Sequence, residues 1–107
     1  MITRIWRGWT TLSNSPVYEK LLLTEIFTAI ASRNIPGYRG ISLGKREVGD
    51  EMEFITIMSF DSIQAVKEFA GDNYEIAVVP AKARAVLARF DAVSAHYETV
   101  VERPSRT

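Results

Sequence analysis

An α+β fold, four antiparallel strands with helices over one face of the sheet, is what this sequence predicts, and three observations predict it. The stretch 52–60, Met-Glu-Phe-Ile-Thr-Ile-Met-Ser-Phe, is rich in aromatic and β-branched residues and is bounded by Gly49-Asp50 and Asp61, which is the signature of a strand. Side chains alternate along a strand, so Phe54, Thr56, Met58 and Phe60 point one way and Ile55 and Ile57 the other. A strand apolar on both faces belongs in the middle of a sheet that is covered on both sides. The order of patterns along the chain is strand, helix, strand, strand, helix, strand, which is two split βαβ units, the ferredoxin-like βαββαβ arrangement. Right-handed crossovers place both helices on the same face.

Taken in order, residues 1–9 form the first strand, with Ile5 on one face and Ile2, Arg4 and Trp6 on the other. Ser15-Pro16 opens a helix, serine as the cap and proline at the first helical position, where its missing N–H costs nothing. Leu22, Ile26, Ala29 and Ile30 repeat at helical spacing and carry the helix to about Arg33. Asn34 suits a left-handed C-cap, and Pro36-Gly37 ends the helix. Residues 38–47 form the second strand, Ile41 and Leu43 on one face and Gly40, Ser42 and Gly44 on the other. Two glycines on one face point to a bulge or to something large lying close. A turn at 48–51 pairs this strand with 52–60. Asp61 or Ser62 caps a second helix over 63–70, ended by Gly71-Asp72-Asn73; Pro80 starts a third helical piece to about Arg89, and 92–102 is the last strand. One domain, 1–102, is expected, with 103–107 as a disordered tail.

Composition narrows the function. The chain has 107 residues, enough for one domain with its own core. Thirteen basic residues balance 13 acidic ones, which argues against a nucleic-acid partner. Without cysteine there is no disulfide framework, thiolate metal site or cysteine nucleophile. One histidine with scattered carboxylates makes no metal-ligand cluster, and the glycines fit neither a dinucleotide nor a phosphate-loop spacing. No metal and no cofactor are therefore expected. No apolar run spans a bilayer and no signal peptide opens the chain, so no membrane partner is expected and the cytoplasm is the expected setting.

The parity of the strands divides the sheet. Ile5, Ile41, Leu43, Ile55, Ile57, Ala95 and Tyr97 suit the helices. The opposite set, Arg4, Trp6, Gly40, Ser42, Phe54, Thr56, Met58, Phe60, Ser94, His96 and Glu98, is then the open face. Its apolar groups would make a large exposed patch, which a second copy of the chain would cover, giving a homodimer with a cavity between the sheets. First and last strands are neighbours in this topology, so Arg4 and His96 are expected to meet in that cavity. His96 is a candidate base, or a half-buried histidine bonded to a neighbour. Glu98 can orient it or pair with Arg4. Trp6, Trp9, Tyr38 and Tyr74, with Phe54 and Met58, are candidate walls for a planar aromatic ligand, or core and interface anchors. Lys82, Arg84 and Arg89 read best as a solvated helix face.

Several of these pieces carry a family resemblance that runs over almost the whole chain: Ile35-Pro36-Gly37-Tyr38-Arg39-Gly40, Phe69-Ala70-Gly71-Asp72-Asn73-Tyr74, Pro80 with Phe90-Asp91, and His96-Tyr97-Glu98. The chain resembles the antibiotic biosynthesis monooxygenase domains, which are dimeric α+β barrels. The resemblance implies a homodimer with a pocket between sheet and helices. It also implies oxidation of phenolic substrates by molecular oxygen without a cofactor, started by a base. Other members cleave haem with an axial histidine in the helical region after the third strand. That region here holds Asn73 and Tyr74 but no histidine, which argues against haem cleavage.

Two readings follow. In the first, the chain is a cofactor-independent monooxygenase-like protein acting on a small planar phenol or quinol, with His96 as base, Arg4 as oxyanion stabiliser and the aromatic residues as walls. In the second, it is a non-catalytic ligand-binding or structural homodimer of the same fold. A cavity of roughly a few hundred Å³ with His96 in its wall favours the first, and a filled barrel the second.

Overall fold

The structure, a computed structural model, describes residues 1–105. The expected disorder of 103–107 falls partly outside them, at 106–107. Strand β1 (Ile2–Thr11) is followed by a continuous helical run: α1 (Ser15–Leu21), a π turn (Leu22–Ile26) and α2 (Phe27–Ser32). Asn14, not Ser15, is the cap. Its backbone N–H donates to Thr11 Oγ1 at 3.1 Å, while Ser15 is already helical and buried. In the π turn the Phe27 N–H reaches back five residues to the Leu22 carbonyl. Asn34 takes the left-handed conformation expected of it, with φ 50°.

Strands β2 (Tyr38–Val48) and β3 (Glu51–Phe60) form the hairpin, and the expected bulge lies between Tyr38 and Gly40. The extra residue, Arg39, lets Tyr38 and Ile41 face the same side. Gly37 has φ 82°, and a Cβ there would come within 2.8 Å of the Ala65 Cβ, so the approach of this turn to the next helix requires glycine. That helix, α3 (Ile63–Ala70), is capped by Ser62, whose hydroxyl accepts from the Ala65 N–H at 3.3 Å. A short α4 (Ala81–Val86) follows Pro80.

The sheet runs in the order β2-β3-β1, and the free edge of β1 takes two short strands, β4 (Arg89–Phe90) at Gly8 and Trp9 and β5 (Ala95–Glu98) at Ile2 to Ile5. Of the last strand expected over 92–102 only β5 forms, while β4 stands where the third helical piece was expected to end, so Arg89 lies in a strand and not on a helix face, and the chain departs from β1 between the two. The departure has a cause. The Ala77 N–H bonds the Ala92 carbonyl, the Ser94 N–H bonds the Glu75 carbonyl, and Ile76 bridges Val93, so this stretch leaves β1 to pair with the segment before α4. The four-position antiparallel ferredoxin-like sheet stands as expected.

The assignment of faces is corrected on three strands. Phe54, Met58 and Phe60 are buried under the helices: Phe54 with Tyr18, Leu22 and Ala83, and Met58 and Phe60 with Val66 and Phe69. Arg4 lies on that face too, opposite Met58. Ile5, Ile55, Ile57, Ala95 and Tyr97 lie on the open face, with Ile57 36% and Tyr97 58% exposed. Only β2 keeps its expected parity, with Ile41 and Leu43 inward and Gly40, Ser42 and Gly44 outward. Both parity sets of β3 are apolar, and the larger members, two phenylalanines and a methionine, go to the deeper side, where burial of area is greatest.

No helix among the described residues is long and apolar enough to cross a membrane.

Candidate functional site

Register brings Arg4 of β1 beside His96 of β5, as the parity of the two strands predicts. Arg4 is 3% exposed. Its Nη1 donates to the Tyr74 carbonyl oxygen at 2.6 Å and lies 2.9 Å from His96 Nε2. A guanidinium only donates, so Nε2 is the acceptor and the ring proton belongs on Nδ1. The Phe69 ring stands against the guanidinium, with its centroid 5.4 Å from Cζ. Burial pulls Arg4 down to about 10, which leaves it a cation at neutral pH. Burial, and next the charge of Arg4, hold His96 below its ordinary value, with the Glu75 carboxylate partly opposing them. His96 is therefore neutral at pH 7.

The ion pairs elsewhere set Arg4 apart. Arg7 with Asp91, Arg39 with Asp61, Lys45 with Glu19, Arg46 with Glu53, Lys82 with Glu25 and Arg89 with Glu51 all join an exposed cation to a carboxylate. Among the described residues Arg4 is the deeply buried cation, and its bonded partners are a carbonyl and a neutral imidazole.

Arg4 is part of the wall of a cavity of about 70 Å³ between the sheet and the helical layer. Trp6, Thr56 and Met58 line the sheet side, Tyr18, Leu22 and Phe27 the helical side, and Val79 and Ala83 the side of α4. Trp6 is fixed by an Nε1 bond to the Asp91 carbonyl at 2.7 Å. Ser94 closes one edge; it is 5% exposed, and its Oγ has no hydrogen-bond partner. Burial raises the Tyr18 phenol and keeps it protonated. Beside the cavity lies a surface groove of about 480 Å³ that shares Ile26, Ile30, Phe69, Val78 and Pro80 with it and is rimmed by Arg33, Glu25 and Lys82. The Lys82–Glu25 ion pair, 2.8 Å long, ties α4 to the π turn there.

Of the residues singled out in the sequence, Arg4, Trp6 and Met58 line this cavity. His96 does not, which corrects the expectation of a cavity shared with Arg4. With Tyr74 and Glu98 it borders a separate groove of about 560 Å³ along β5. The Tyr74 ring stands edge-on to the imidazole at 5.0 Å. Phe54 packs against Tyr18 and Tyr38 against Phe60, both within the core clusters and outside the cavity wall. Sequence reasoning missed Tyr18, Phe27 and Val79, and it placed Ser94 on the face of Arg4 without giving it a role. Tyr18 had a signal, since Tyr18, Leu22, Ile26 and Ile30 are spaced by four and put a lone hydroxyl on the apolar stripe. Alternation put Ser94 on the face of Arg4, but its place at the edge of the cavity depends on the departure of the chain from β1.

The neutral state of His96 has a measurable consequence. The unfolded histidine titrates near its ordinary pKa of about 6.5, and the folded one lower. Between the two values the unfolded chain binds the extra proton, so stability rises with pH through that window. Stability should be complete above about pH 6.5 and decline as the pH falls toward the depressed folded value. His96→Gln keeps an acceptor for Arg4 and removes the titration. Urea midpoints between pH 5 and 7.5 should slope for the wild type more than for this variant; identical slopes would refute the coupling.

No protein-family model matches the sequence, and no curated protein matches it. Solved structures do match its fold. A Bacillus cereus protein assigned provisionally as an antibiotic biosynthesis monooxygenase superposes with a TM-score of 0.66 at 13% identity, covering 97% of both chains. MhuD, a heme degrader from Mycobacterium tuberculosis whose structure holds two hemes in its active site, gives 0.61 at 19% identity, covering 97% of this chain and 100% of that one. The Mycobacterium tuberculosis protein Rv0793 gives 0.63 at 19% identity, covering 96% and 98%. The chain has the fold of these proteins.

Proposed function

We propose that this chain is a cofactor-independent monooxygenase-like protein that oxidises a small planar phenol or quinol with molecular oxygen in the cavity between sheet and helices, working as a homodimer. The observation that supports it is Arg4, a buried cation without a carboxylate, set in a wall that is otherwise mostly apolar. A cation in a desolvated wall stabilises a phenolate over the phenol, because charge interactions strengthen as water is excluded. The bound substrate then ionises in the field of Arg4, without a cavity base, and releases its proton toward the groove. The phenolate gives an electron to oxygen, and recombination completes the balance: one phenol and one O₂ yield one quinone and one water. His96 is proposed as a positioning residue that holds Nη1, leaving Nε and Nη2 of Arg4 for the substrate oxygen. Other proteins of this fold include a heme degrader. Haem does not suit the residues present here, since the one imidazole already accepts from Arg4.

Oxygen uptake against a panel of phenols and quinols tests the proposal. Arg4→Met should lower kcat by roughly 100-fold or more, the usual cost of removing one oxyanion donor. His96→Ala should lower kcat as well, and His96→Gln should restore most of it. A substrate turned over at the wild-type rate by Arg4→Met would sink the mechanism. A second reading, a ligand-binding dimer without catalysis, is favoured by the small cavity and by the position of His96 outside it. Tight binding with no oxygen uptake across the panel would select it.

A further inference from the structure

We infer that the cavity takes its ligand as a monoanion with an apolar body, and that Ser94 is a specificity-determining residue that donates to the anionic head beside Arg4. The inference rests on reading the cavity as a ligand site, and it adds the charge of the ligand and the residues that select it.

Two unfulfilled groups meet in one wall. The first is the guanidinium of Arg4, 3% exposed and bonded only through Nη1, to a carbonyl and a neutral ring. Taking a cation out of water is costly unless an opposite charge or a full set of acceptors replaces the water. Among the described residues six exposed cations are each paired with a carboxylate, yet no carboxylate is bonded to Arg4. The second is the Ser94 hydroxyl, 5% exposed and without a partner. Buried hydroxyls are nearly always bonded, so a lone one in a cavity wall points to a missing acceptor. Both residues line the same cavity, and Ser94 also borders the groove along β5. A neutral ligand would satisfy the hydroxyl and leave the cation uncompensated, whereas an anionic oxygen satisfies both.

Size fixes the rest of the ligand. About 70 Å³ accommodates a small head, and the adjoining groove of about 480 Å³, walled by Ile26, Ile30, Phe69 and Val78, accommodates an apolar body. Arg33 and Lys82 at the rim of the groove favour the approach of an anion, although Glu25 offsets Lys82. A phenolate and an aryl carboxylate share this chemistry.

The test uses the full chain and a matched pair of probes, 2-naphthoate and its neutral isostere 2-naphthamide, with calorimetry as the readout. Naphthoate should bind at least tenfold more tightly than the amide. Ser94→Ala should weaken naphthoate several-fold, and Arg4→Met should erase the preference for the anion. Ser94→Ala removes one oxygen atom, so it keeps the test alive if Arg4→Met does not fold. Equal affinities for acid and amide, an unaffected Ser94→Ala, or no naphthoate binding at millimolar concentration would each overturn the inference. Naphthoate binding without any oxygen uptake by the phenol panel would count against the oxygenase reading alone. Turnover of phenols with no preference for the anionic probe would count against this inference alone.

Discussion

Phe54→Ala is expected to lower the stability of the fold by about 3–5 kcal/mol, the usual cost of emptying an aromatic site in a core. Phe54 has no exposed surface, stands edge-on to Tyr18 with ring centroids 4.9 Å apart, and is packed by Leu22 and Ala83. Tyr18 and Ala83 come from α1 and α4, so the ring joins the two ends of the helical layer to the sheet. The hole left by alanine would have those helices on one side and β3 on the other, with little freedom to collapse. A domain of this size has a total stability of about 5–15 kcal/mol. Tm should therefore fall by roughly 12 °C or more, taking about 4 °C for each kcal/mol. Urea denaturation at fixed protomer concentration is the direct measurement. A change within about 0.5 kcal/mol, typical of a surface site, would restore the opposite parity, with Phe54 on the open face.

That parity marks where the sequence was legible and where it was not. The longer elements and their order followed from local signals: β-branched and aromatic runs, Pro16, Asn34, Ser62 and the Gly49 turn; β4, at Arg89 and Phe90, did not. The bulge in β2 was announced by Gly40 and Gly44, although its position, at Arg39, was not. The sharing of a face by Arg4, Trp6, Ser94 and His96 followed from alternation alone. Which side that face looks to did not, because β3 has two apolar sides and alternation carries no sign. The volumes of Phe54, Met58 and Phe60 against two isoleucines were the available clue. The division of the site between two spaces was not legible either. It depends on the pairing of 75–77 with 92–94, which turns Ser94 to the edge of the cavity and leaves His96 in the groove along β5.

Ile57→Asp is expected to dissociate the proposed homodimer while leaving the protomer folded. The corrected open face carries Ile5, Ile55, Ile57, Ala95 and Tyr97, with Ile5 in register between Ile57 and Ala95. Beside them β2 presents Ser42 opposite Ile57 and Gly44 opposite Ile55, so this part of the face is flat enough for another sheet to approach. Several hundred Å² of apolar surface, at roughly 25 cal/mol per Å², is a large driving force for covering it. In an isologous dimer one substitution enters the interface twice. A buried, unpaired carboxylate costs at least about 3 kcal/mol, so two would weaken association by roughly ten-thousandfold at 1.4 kcal/mol per factor of ten. Because Ile57 is 36% exposed in the protomer, the aspartate would meet water once the partner is gone, and circular dichroism should change little. Phe54→Asp should behave differently and unfold the chain, since its carboxylate would face the helices. Sedimentation of the wild type and both variants at micromolar concentration distinguishes the cases. A wild type that sediments as a monomer, or an Ile57→Asp protein that remains a dimer, would remove the open face as the interface.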